Sequence, residues 1–207
     1  MSRIPRLATR ALSVSAAFAL GMSLTACTAE QTPSADSTGS ASASASPSAS
    51  PSPTAPSPEE EAISKAETAL HEYFRVSDVS MQDPENFRVE DYKKVAISSA
   101  LIELQNGYNS QVAQDVRQIG GLVVDSVEDP KVDLTFKPKK TPPEIPNVIF
   151  TVCFDVSAVN VVDKDGKSIV PPGRPDRGML RVGVANYEYP DGPWLVDFTE
   201  GLDDKSC

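Results

Sequence analysis

From residue 57 onward, the apolar positions first recur at helical spacing and then switch to alternation. Ile63, Ala66, Leu70, Tyr73 and Phe74 fall three or four residues apart or side by side on one helical face, the pattern of an amphipathic helix. Ser57-Pro58-Glu59-Glu60 marks its start, with Ser57 as the cap, Pro58 at the first helical position and Glu60 completing a capping box. The helix is predicted to end near Val76, before the turn-rich SDVSMQDPEN. A short second helix is predicted from Glu90 to Ala96. A third is predicted to begin after Ser98 or Ser99, with a stripe of Leu101, Leu104, Tyr108, Val112 and Val116. Gly120-Gly121 marks the break.

Beyond the glycines the period becomes two. Strands are predicted from Gly121 to Glu128 and from Lys131 to Phe136, the second with Val132, Leu134 and Phe136 on one face. KPKKTPPEIP reads as a loop. In NVIFTVCFDV, Val148, Phe150, Val152 and Phe154 face one way, and Ile149, Thr151, Cys153 and Asp155 the other. Val161-Val162, KDGK and Ser168-Ile169-Val170 suggest a small hairpin turning at Asp165-Gly166. A second loop covers Pro171 to Pro175. The last strands are predicted from Gly178 to Tyr189 and from Trp194 to Thr199, joined by Pro190-Asp191-Gly192-Pro193. Helices followed by a run of antiparallel strands define an α+β fold, with the N-terminal helices packed on one face of a curved antiparallel sheet.

The first 58 residues read differently. Arg3, Arg6 and Arg10 are the only charges before Cys27, and ALSVSAAFALGM is an apolar run too short to span a bilayer. It fits the core of a secretory signal peptide. Leu24-Thr25-Ala26-Cys27 then resembles the lipobox of bacterial lipoproteins. The resemblance implies cleavage before Cys27, a diacylglyceryl group on its thiol, and a new N-terminus open to acylation. Two acyl chains hold a protein on a membrane stably. The expected location is therefore the extracytoplasmic face of the cell membrane, with residues 1–26 as signal peptide and Cys27 as lipid attachment site.

Residues 27–58 form a tether with SASASASPSASPSPTAPSP at its centre. So few large apolar side chains cannot offset the entropy of ordering, so disorder is expected. About thirty residues of flexible coil span about 30 Å; fully extended as polyproline II they reach about 90 Å. The remaining segment, 59–207, is the folded domain.

Charge removes some functions from consideration. The chain carries −10 overall. Without the three arginines of the leader, 16 basic residues face 29 acidic ones, or −13. That sign repels nucleic acid, so no nucleic-acid partner is expected.

Two cysteines remain once Cys27 carries lipid. An exported domain meets oxidising conditions, and Cys153 with Cys207 allow one connectivity. Closing a loop of about 55 residues stabilises by roughly 4 kcal/mol in the chain-entropy model, and it pins the terminus. The competing reading is a buried free Cys153 with a reactive Cys207. No C-x-x-C redox motif is present.

The order of elements, together with TVCFDVS at 151–157, VVDKDGKS at 161–168, WLVDF at 194–198 and the terminal Cys207, resembles actinobacterial exported lipoproteins with an NTF2-like, cystatin-like domain. The resemblance implies a three-helix, curved-sheet cone with a pocket between the layers. Some relatives of that kind are isomerases, dehydratases or cyclases, and the fold hosts many unrelated activities.

Catalysis in such a cone needs a carboxylate base and oxyanion donors in an apolar pocket. The candidates for its lining are His71, Tyr73, Tyr108, Asp155 and Trp194. His71, the only histidine, reads as a surface residue near the C-terminal end of the first helix, complementing its dipole. Asp155 reads as a surface charge. Tyr73, Tyr108 and Trp194 are possible pocket lining, with core packing the preferred reading. Asp163-Lys164-Asp165-Gly166 fails as a calcium loop, because its glycine comes too early and no bidentate Glu follows. No metal set, phosphate loop or nucleophile elbow is present, and no cofactor is expected. The leading expectation is a non-catalytic binding or assembly module at the cell envelope, holding an envelope protein or a small apolar ligand. The alternatives are an isomerase or dehydratase using the pocket, and a structural dimerising module.

Overall fold

The structure is a computed structural model describing residues 55–202 and Cys207. The expected signal peptide (1–26), the expected lipid site Cys27 and residues 27–54 of the expected tether lie outside the described residues. Ser57 caps α1 (Pro58–Gln82): its Oγ accepts from the Glu60 amide at 3.2 Å, and Glu60 accepts from the Ser57 amide at 2.7 Å. The capping box is thus formed as the sequence predicts. The helix runs past Val76, however. Ser80 is fully buried inside it, and its Oγ donates to the Ser77 carbonyl at 2.6 Å while accepting from the Tyr92 hydroxyl at 2.6 Å. A polar residue with two such partners costs the helix little, so the turn-like composition there misleads.

Tyr92 belongs to the short second helix, which is a 3-10 helix over Val89–Lys94 and ends before Ala96. α2 (Ser98–Gln114) follows, with Ala100, Leu104 and Gln111 buried. Val112, placed on the apolar stripe, is 51% exposed. Gln111 takes the inward position because its amide donates to the Met81 carbonyl at the end of α1. The helix starts at Ser98 itself, and Ser99 donates to the Asp197 carbonyl at 3.2 Å.

Among the described residues six strands follow: β1 (Arg117–Ile119), β2 (Val123–Asp133), β3 (Asn147–Asp155), β4 (Asn160–Val162), β5 (Arg177–Ala185) and β6 (Leu195–Gly201). β2-β3-β5-β6 form one antiparallel sheet, and β1 pairs antiparallel with β4. The two strands predicted at 121–136 are one strand with an irregularity between Glu128 and Lys131, where Asp129 has φ 50° and Pro130 follows. Pro130 is tolerated because β2 is an edge. β1 was not predicted at all. Gly120 ends it at φ 74°, and a Cβ there would sit 1.9 Å from the Ala158 carbonyl oxygen, so the chain can approach β4 only through glycine.

The hairpin around Asp165-Gly166 is present in outline. The Asp163 amide donates to the Lys167 carbonyl, the Ile169 amide donates to Val161, and Val162 bridges Ser168. The other edge of the main sheet is closed near the start of β6. The Val196 amide donates to the Val95 carbonyl, and the Ile97 amide donates back to Val196.

One face of the sheet meets the helices. Val148, Phe150, Val152, Val182, Val184 and Val196 pack there against Ala66, Leu70, Tyr73, Phe74 and Ala100 in one apolar cluster. The opposite face carries Ile149, Thr151, Cys153, Met179, Arg181 and Phe198, read from the strand register and its period of two. Cys153 is buried on that face by its disulfide to Cys207. The predicted pairing is therefore present, and the free-thiol reading falls. Among the described residues no helix is long and apolar enough to cross a membrane.

Candidate binding surfaces

The space between helices and sheet is filled. Tyr73 is 5% exposed and Trp194 8%, both inside the core cluster. Burial, and then the Glu103 carboxylate, push the Tyr73 phenol up from its ordinary range. Nearby, the Thr199 hydroxyl donates to Glu103 at 2.8 Å. Tyr108 packs beside Phe87 and Tyr92, and its hydroxyl donates to the Pro84 carbonyl at 2.8 Å. These three aromatics do not line one cavity. Tyr108 edges a cleft beyond the helix ends, Trp194 edges a small groove at the start of α1, and Tyr73 remains in the core.

The other candidates are dispersed as well. His71 is exposed, with Nε2 4.0 Å from Glu67 one turn back. Because α1 continues to Gln82, His71 lies well short of its C-terminus and does not complement its dipole there. Asp155 accepts from the Ser157 amide at 2.7 Å and from Arg177 Nε at 3.2 Å. The bonds from Ser157, with Arg177 adding less, hold its carboxyl below the usual range. It is a turn-forming surface charge. The buried polar residues among those described are Ser80, Gln111 and Asn186, none of them an acid or base. Among the described residues no group of three or more His, Cys, Asp or Glu is placed to hold a metal ion.

The openings lie on the outside. One is a half-open cleft of about 750 Å³, edged by Asp83, Glu85, Tyr108, Asp115, Arg117 and Asp163. It forms where α1 and α2 both end, and neither helix has a basic residue in its last turn. Helix C-termini carry partial negative charge, which adds to Asp83, Glu85, Asp115 and Asp163 in a lining that also carries Arg117 and Lys164. Two of its carboxylates hold local turns: Asp163 accepts from the Asp165 and Lys167 backbone amides, and Asp83 from Asn86 Nδ2. A second groove of about 480 Å³ separates α1 from the 3-10 helix, with Val79 and Phe87 in it and paired charges around it.

A third opening, of about 430 Å³, is a trough on the face of the sheet turned away from the helices. Its floor is Ile149, Gly183 and Ala185, with Phe198 and Tyr187 on one side and Pro143 and Ile145 of the 137–146 loop on the other. Gly183 makes this possible. A Cβ there would meet the Phe198 ring at 2.1 Å, so the ring lies over the strand. The far side of the arrangement is Arg181, whose guanidinium sits 5.7 Å from the Phe198 centroid. Phe198 faces outward because β6 carries an irregularity opposite Gly183/Val184, which places Asp197 as an extra residue between inward Val196 and outward Phe198. Sequence reasoning missed the trough. The available signal was a glycine inside a strand, which marks close approach of a neighbour.

No protein-family model matches the chain, and no curated protein matches it. The chain is similar to a solved structure, the crystal structure of the intermembrane space region of chloroplast protein ARC6. The identity is 14% and the TM-score 0.42, over 68% of this chain and 95% of that one. A likeness this distant carries no argument about function.

Proposed function

We propose that the chain is an exported lipoprotein and a non-catalytic binding or assembly module of the cell envelope. In this reading residues 1–26 direct export, Cys27 is anchored by lipid on the extracytoplasmic face, 27–58 is the tether, and 59–207 is an NTF2-like domain. Two α-helices and a 3-10 helix preceding a four-stranded antiparallel sheet support the NTF2-like assignment. The observation that carries the non-catalytic reading is the filled interior. Valines of three strands and the aromatics Tyr73, Phe74 and Trp194 occupy the place where a substrate would sit, and among the described residues no carboxylate, histidine, lysine or arginine is buried with them. An enzyme of the isomerase type concentrates perturbed ionisable groups in a cavity. Here the openings are external and rimmed by charge, which favours a protein partner over a small apolar ligand.

The anchor is tested by replacing Cys27 with Ser and fractionating cells. Release of the protein from the membrane fraction is the expected result. Retention there, or an unprocessed chain inside the cell, overturns the reading.

A further inference from the structure

We infer that the trough on the outer sheet face receives an extended segment of a partner protein carrying two basic residues four positions apart with an apolar residue midway. The inference deepens the binding-module reading and rests on it. The trough runs across the strands, from Asp133 on β2 to Asp197 on β6. Three strand spacings separate these margins, or about 14 Å. The floor between them is Ile149, Gly183 and Ala185, with the Phe198 ring alongside.

The two margins are negative and, among the described residues, neither carboxylate is ion-paired, although Lys137 lies near enough to Asp133 to add a small Coulombic attraction. Asp133 accepts from the Thr135 amide at 2.8 Å, and Asp197 accepts from the Tyr187 hydroxyl at 3.1 Å. Among the described residues neither forms an ion pair with Lys or Arg. Glu144, the third carboxylate in the trough, is already met by Lys137 at 2.7 Å and by Lys140. Lys131 shares a face of β2 with Asp133 but does not line the trough.

The occupant follows from this arrangement. In an extended segment, residues i, i+2 and i+4 point the same way, and i to i+4 spans about 14 Å. A Lys or Arg at each end would meet Asp133 and Asp197 while the central apolar side chain rests on the floor beside Phe198. Phe198 already accepts a guanidinium on its ring. A second copy of this chain brings like charge to like charge, given the −13 of the processed chain, and is disfavoured. Anionic lipid and nucleic acid are repelled on the same ground. Few side chains fit in about 430 Å³, so the contact is of the weak, transient class.

The test uses the full chain in neutral detergent at low salt. The probe is the fluorescein-labelled peptide Gly-Arg-Ser-Leu-Ser-Arg-Gly, read by anisotropy. Saturable binding with Kd on the order of tens of micromolar is expected. The pair Asp133→Lys and Asp197→Lys should weaken it tenfold or more, and Asp133→Asn with Asp197→Asn should weaken it in the same direction without reversing charge. The pair Asp83→Lys and Glu85→Lys in the distant cleft makes the same change in net charge and should leave binding within threefold. Far-UV circular dichroism confirms that each variant is folded. The inference is overturned if the peptide does not saturate, if both lysine pairs weaken it equally, or if peptides with adjacent arginines or with Glu for Arg bind as well. The Cys27→Ser fractionation is independent. An anchored protein that ignores the peptide loses only the trough, and an unanchored one that binds it loses only the envelope reading.

Discussion

Asp78 joins the first helix to the start of the sheet, and removing its side chain should destabilise the whole domain. One carboxylate oxygen accepts from Gln118 Nε2 at 2.6 Å, the other from the Leu122 amide at 2.9 Å. Gly121 leaves room for this contact, since a Cβ there would stand 2.9 Å from the carboxylate. The partners are forty and forty-four residues away along the chain, so both bonds exist only in the folded state. Hydrogen bonds to a charged acceptor contribute roughly 1.5–3 kcal/mol each, and partial solvation argues for the lower value. Asp78→Ala should therefore cost about 3 kcal/mol. Asp78→Asn keeps one acceptor but turns an amide N–H toward the other donor, and should cost about 1–2 kcal/mol. Urea unfolding followed by the emission of Trp194, the single tryptophan, measures both. A double-mutant cycle with Gln118→Ala isolates one bond and should give a coupling of about 1 kcal/mol. An alanine variant within about 0.5 kcal/mol of the parent, or a coupling near zero, refutes the account.

Two further predictions concern the covalent link and pH. Cys207→Ser should lower stability by about 2–4 kcal/mol in the same urea assay, because it frees a loop with ends 54 residues apart; an unchanged midpoint would contradict it. Acid should also weaken the domain. Thr135 bonds depress the Asp133 carboxyl, Ser157 bonds depress Asp155, and Arg75 depresses Glu72. Folded values below the unfolded ones give stability that is complete above the ordinary carboxylate range and is lost as pH falls through the folded values. The urea midpoint should thus be lower at about pH 3 than at pH 7, and a higher midpoint in acid would reverse the sign.

Much of the architecture was legible because it rests on local signals. The capping box at Ser57 and Glu60 is a four-residue pattern, and Val148, Phe150 and Val152 alternate as a half-buried strand must. What escaped depends on partners far along the chain. Ser80 reads as turn material until the Tyr92 hydroxyl is known to reach it. Gln111 reads as surface until the Met81 carbonyl claims its amide. β1 is three residues long, with a glutamine at its centre, and is defined by pairing with β4 rather than by its own composition. The expected pocket did not form because Tyr73 and Trp194 are taken into the packed core and Tyr108 packs against it, so the three line no shared cavity. The trough escaped for the complementary reason, since it exists through the absence of a side chain at Gly183 and a displaced residue at Asp197.

Both borders of the main sheet are interrupted against further strands. Asp129, Pro130 and the flanking Glu128 and Lys131 interrupt one, and the 95–97 segment occupies the other at the start of β6. At high local density open strand edges invite fibril growth. A sheet finished at its sides can be crowded in this way without polymerising, which leaves its broad surfaces and loops as the places where contact with another molecule can be selective.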